Sequence, residues 1–179
     1  MHPLFVQYCA YFNGNEDYFE CHEVLEEYWK EIAPGDRQHI LVGFVQLATG
    51  LYHWRRGNTN GALRTLQKAK KCLQSNSPFF DMVNQADVLQ KLSKSIYAIQ
   101  AGETFQAFQL TIINEQFAQL VKVQIAQLEP VPHTFLRDKH KLRDRSDIVA
   151  ERLEKLSAKH KMKANGAVQK AVHSRHFGQ

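Results

Sequence analysis

Proline is nearly missing from the middle of this chain: between Pro34 and Pro130 only Pro78 intervenes. Proline removes a backbone donor and clashes with the preceding turn, so its scarcity leaves helices free to run. Long apolar runs are also missing. The most apolar segment, Ile40 to Ala48, is interrupted by Gly43 and Gln46, far short of the roughly 18–20 apolar residues a membrane span requires. No membrane association is expected. Met1-His2-Pro3-Leu4-Phe5 lacks a basic region leading into an apolar stretch, so no signal peptide is expected either. Cysteine is sparse: Cys9, Cys21 and Cys72 are odd in number and without paired spacing. Reduced thiols in a cytoplasmic protein fit that usage better than a disulfide framework. A Gly-rich phosphate loop, a nucleophile elbow and the H-E-x-x-H zinc helix are absent too, and no cofactor is expected.

What remains is helical periodicity and unevenly placed charge. No alternating strand pattern stands out, and the turn signals divide the chain into helices over about 3–12, 16–32, 36–56, 59–74, 79–101 and 103–128. Asn13-Gly14-Asn15, Pro34-Gly35, Gly57, Ser75-Asn76-Ser77-Pro78 and Gly102 supply the breaks. Short connections of this kind predict an all-α antiparallel helical bundle. The net charge of +5 conceals a division at Pro130 and Pro132. Residues 1–130 carry 11 Lys and Arg against 13 Asp and Glu, net −2, whereas residues 131–179 carry 12 against 5, net +7. The first part reads as the bundle domain. The second reads as a basic tail with one charged helix from Arg137 to Met162, solvated or docked on a partner, and open to a weak nucleic-acid or ribosome contact.

The stretch Tyr18-Phe19-Glu20-Cys21-His22-Glu23-Val24-Leu25-Glu26-Glu27-Tyr28-Trp29 concentrates ionisable side chains among aromatics. At 100° per residue with His22 as zero, Tyr18, Phe19, Leu25, Trp29 and Ile32 fall between about −80° and +60°. On that reading His22 and Glu26 lie inside the apolar face, while Glu20, Glu27 and Glu31 face solvent. Cys21, at its edge, is a small buried hydrophobe rather than a nucleophile. A buried carboxylate needs a donor, and the next helix offers a stripe of His39, Gln46 and His53 at intervals of seven, bordered by Gly43, Thr49 and Gly50. The expectation is a buried network of His22, Glu26, Gln46 and His53, in which Glu26→Gln is tolerated much better than Glu26→Leu. A metal site of His22, Glu26 and His53 and an acid–base couple of His22 with Glu26 remain alternatives.

From Gly50 to Ala69 the spacing of Gly50, His53, Gly57, Ala62, Leu66 and Ala69 resembles a tetratricopeptide hairpin. No second copy follows, because the positions matching His53 and Gly57 one repeat later are Asp87 and Lys91. Together the acidic-histidine helix, Gln46 and Leu51-Tyr52-His53-Trp54-Arg55-Arg56-Gly57-Asn58 resemble the bacterial and archaeal family known as domain of unknown function 309, over roughly residues 10–75. The resemblance implies a small all-α cytoplasmic domain without an assigned activity. It singles out His22, Glu23, Glu26, Trp29, Gln46, His53, Gly57 and Asn58. All of these except Gly57, together with Arg56, make the candidate polar network or pocket. The function expected first is a non-catalytic binding or scaffold module, its ligand or protein partner unnamed; an enzyme using His22, Glu26 and His53 is the alternative.

Overall fold

Side-chain caps set most of the helix starts. The computed structural model describes residues 1–142, which form seven α-helices: α1 (Pro3–Ala10), α2 (Tyr18–Ile32), α3 (Ile40–Arg55), α4 (Thr59–Leu73), α5 (Gln85–Gln100), α6 (Glu115–Ala126) and α7 (His133–Leu142). Asp17, Asn58, Asn84 and Asn114 each accept a first-turn backbone N–H, at the heads of α2, α4, α5 and α6, satisfying donors a helix cannot pair internally. The fold is all-α. Helices α3 and α4 form an antiparallel pair, turning through Gly57 at φ +75°, a left-handed conformation that glycine adopts without strain.

The α3–α4 hairpin is close because its contact positions are small. A Cβ on Gly50 would stand 2.5 Å from Leu66 Cδ2, and one on Gly43 would stand 2.9 Å from Leu73 Cδ2. Pairing that runs backward along α4 is the mark of antiparallel packing, and Ala62 and Ala69 are fully buried beside it. On the other side of the bundle, α1 holds an aromatic cluster. The Phe5 ring lies 5.3 Å from Phe44, 4.8 Å from Phe79 and 5.5 Å from Phe117, in the offset and edge-on arrangements that aromatic quadrupoles favour.

Four boundaries differ from the expectation. Helix α3 starts at Ile40, not Asp36, because Asp36 Oδ1 accepts from Gln38 N and its carbonyl accepts from Trp29 Nε1. The helix expected over 79–101 is a 3-10 turn, Pro78–Asp81, followed by α5. Residues 103–114, expected as the first half of a helix, form no helix and carry one isolated bridge between Val83 and Ile112. Backbone bonds from Asn84 N to Thr111 O and from Ile113 N to Met82 O hold that segment, while Leu110 is buried beneath it. The β-branched Thr111, Ile112 and Ile113 favour such a path.

The fourth difference concerns the tail. Met1–Lys141 forms one compact unit, so the bundle continues beyond Pro130 and includes nearly all of α7. The charged helix expected over 137–162 begins earlier, at His133; its stretch beyond Leu142 lies outside the described residues. Among the described residues no helix is long and apolar enough to cross a membrane.

Candidate functional site

The side of α2 that enters the core is formed by Tyr18, Cys21, Leu25 and Tyr28. Their mean direction is about 80° from His22 on the helical wheel. His22 and Glu26 therefore occupy a flank, their side chains 33% and 35% exposed, and the expectation that they are buried is corrected. Ile32, taken as core, is 46% exposed. Glu26 is held by its own helix: His22 Nε2 stands 3.3 Å from Oε2, and Lys30 Nζ stands 2.7 Å from Oε1. His22 Nδ1 faces Glu23 Oε1 at 3.1 Å. Exposed i, i+4 pairs of this kind contribute roughly 0.3–0.5 kcal/mol. Glu26→Gln and Glu26→Leu should thus both stay within about 1 kcal/mol of the parent in urea denaturation. A loss above about 2 kcal/mol for Leu alone would show that this carboxylate is buried in solution after all.

On α3 the glycines point to α4 and Tyr52 points to α2, where Phe19 lies against its ring at 6.1 Å. Gln46, Thr49 and His53 fall on the arc between, within about 60° of one another, and each is half-buried. On α2, His22 and Glu26 share the side of Phe19 and Trp29. The first of these touches Tyr52, and the second donates its indole N–H to Asp36 O at 2.8 Å. The two polar sets are therefore part-exposed on their own helices rather than closing into a core. Among the described residues no hydrogen bond or ion pair joins His22 or Glu26 to Gln46 or His53.

His53 is tied instead to the turn that follows it. Its Nδ1 lies 3.2 Å from Asn58 Nδ2, while Asn58 Oδ1 caps α4 through Gly61 N. Partial burial lowers its pKa from the usual value, and the charges of Arg56 and Arg64 lower it further. The metal set His22, Glu26 and His53 is accordingly not assembled. Among the described residues no group of three or more His, Cys, Asp or Glu side chains could hold a metal ion. Gln46 lines a groove of about 360 Å³ between α3 and α4, together with Arg37, Gln38, Lys68, Lys71, Cys72 and Ser75. Arg56 stacks its guanidinium 5.5 Å from the centre of the Tyr52 ring and places Nε 3.7 Å from Asp138 Oδ1. Cys21 is fully buried with its thiol against Tyr8 O, and burial pushes its pKa well up, which removes it as a nucleophile.

The structure adds residues that the angular reading passed over. Asp17, 2% exposed, pairs with Lys139 of α7, and Lys139 also reaches Glu20 Oε1 at 2.8 Å. Tyr52 Oη lies 2.9 Å from His140 Nδ1. These bonds seat α7 across the beginning of α2 and the end of α3. Arg55 lies between the rings of Tyr18 and Phe105, 4.5 and 4.9 Å from their centres, and pairs with Glu16 Oε2 at 2.7 Å. Treating everything after Pro130 as a separate tail concealed the first of these clusters.

The family model described as a domain of unknown function, DUF309, matches residues 5–65. An uncharacterized protein of Bacillus subtilis strain 168, YpuF, is 36% identical over 171 residues, which cover 90% of this chain and 98% of that relative. No solved structure matches.

Proposed function

Because this chain belongs to the domain of unknown function 309 family, whose description carries no activity, we propose from its geometry that it is a non-catalytic binding module. The observation that carries this reading is the set of part-exposed polar side chains on α2 and α3. His22, Glu26, Gln46, Thr49 and His53 are part-exposed polar groups, and all but Gln46 are held by local pairs. Pre-set polar groups on a rigid helical layer are what recognition requires, since less rotamer freedom is lost when a partner arrives. The three free cysteines, two of them buried, support residence in a reducing cytoplasm.

The competing enzymatic reading draws on the His22–Glu26 pair, and metal analysis separates the two. Protein purified without a histidine tag should contain no stoichiometric zinc, iron or manganese. One equivalent of metal that disappears in His22→Ala would replace the binding-module reading with a metalloenzyme.

A further inference from the structure

We propose that the groove between α3 and α4 receives the phosphate backbone of a nucleic-acid duplex. This deepens the binding-module reading, on which it rests, by naming a partner for the groove that Gln46 lines. The groove is lined by Arg37, Lys68 and Lys71, with Gln38, Gln46 and Ser75 as neutral hydrogen-bonding groups, and no carboxylate contributes to its lining. No Asp or Glu occurs at all from Arg37 to Phe80, a stretch holding seven Lys and Arg. The nearest acid in sequence, Asp36, already accepts from Gln38 N at 2.9 Å.

These cations converge on one groove and are not neutralised within the described residues. Lys30, Lys91, Lys139, Arg55 and Arg56 each have a carboxylate within ion-pair distance. Among the described residues Arg37, Lys68 and Lys71 have none, and the Gln46 amide makes no side-chain hydrogen bond. Unpaired cations converging from a loop and a helix repel one another, so an incoming polyanion gains attraction and relieves that repulsion together.

The arrangement is long rather than point-like. Arg64, Lys68 and Lys71 follow i, i+4, i+7 spacing on α4, a stripe about 10 Å long at 1.5 Å per residue. One strand of a duplex places a charge about every 3.4 Å along its axis, so a stripe of that length spans roughly three phosphates. No Trp, Tyr or Phe lines the groove. The stacking platform that a single strand would use is missing from the lining, which favours a duplex held through its phosphates.

The test uses the full chain and a short labelled DNA duplex, followed by fluorescence anisotropy across a salt series. The parent should bind with log K falling linearly in log salt. Lys68→Gln combined with Lys71→Gln should reduce that slope by about two, because two phosphate contacts are lost. Lys94→Gln with Lys122→Gln removes the same charge from exposed positions on α5 and α6 and should leave the slope unchanged. Residues 143–179 are identical in both variants, so any affinity they contribute cancels. Equal slopes in the two variants would overturn the proposal. So would absence of duplex binding by the parent, or binding of inorganic pyrophosphate at the groove without binding of duplex. None of these results touches the binding-module reading, which falls on the metal measurement instead.

Discussion

Replacing Lys139 with Met should destabilise the protein by about 3 kcal/mol, near the lower end of the cost of breaking a buried ion pair. Asp17 is 2% exposed and uses Oδ1 to cap α2 through Glu20 N at 3.1 Å, while its Oδ2 depends on Lys139 for a countercharge. Removing the ammonium strands a carboxylate that cannot reach water. For a unit of this size the loss corresponds to a fall in Tm of roughly 6–12 °C. Burial alone would lower the Lys139 pKa, but its hydrogen bonds and attraction to Asp17 and Glu20 outweigh that, and the value is raised above 10.5. The resulting stabilisation is complete below the unfolded value and is lost as pH rises through the folded one. Urea denaturation of Lys139→Met, of Asp17→Asn and of the double variant measures the coupling. The double variant should lose less than the two singles together. A loss under about 1 kcal/mol for Lys139→Met would mean that α7 is not anchored by this pair in solution.

Gly50→Val should be comparably damaging, by about 3 kcal/mol, although it introduces a residue with a better helix propensity than glycine. The first added carbon would meet Leu66 Cδ2 at 2.5 Å, Cγ at 2.6 Å and the Leu66 backbone N at 3.3 Å. Leu66 is fully buried, so its side chain has no open space to move into, and its backbone is fixed in α4. Leu66→Ala alone should cost about 2–5 kcal/mol through its cavity. Combined with Gly50→Val, part of that cavity is refilled, and the pair should be clearly less harmful than the sum of its members. Calorimetric unfolding of the three variants gives the comparison. A Gly50→Val protein as stable as the parent would remove the close approach of α3 and α4 from this account.

The hairpin was legible in the sequence because its causes are local. Gly57 at the turn, with small residues at Gly43, Gly50, Ala62 and Ala69, specifies both the connection and the helix separation. The orientation of α2 was harder to read. Phe19, Trp29 and Ile32 are as apolar as Leu25 and Tyr28, and periodicity alone gives no way to rank them. Only the neighbours decide, and α1 meets α2 on the side of Cys21, with His2 stacked 3.8 Å from the Tyr28 ring. Residues 103–114 misled for a related reason. Their path is set by Asn13, Met82 and Asn84, far away in sequence, where no window of local preference can register them. The carboxylate-free stretch from Arg37 to Phe80 was visible throughout, but averaging charge over residues 1–130 diluted it to a mild net negative.

Asn13 also bears on the order in which the chain assembles. Its side-chain oxygen accepts from Leu110 N at 2.8 Å and its amide donates to Leu110 O at 2.9 Å, across 97 residues of sequence. Helices α2, α3 and α4 meet their partners through short turns and lose little chain entropy in doing so. Bringing Leu110 to Asn13 closes a far longer loop, a cost that rises with the logarithm of its length and is offset only once both bonds and the packing around them form. The three central helices are thus the part able to collect first. The segment over 103–114 and α6 close over α1 as the last stitch, and Asn13 is the knot.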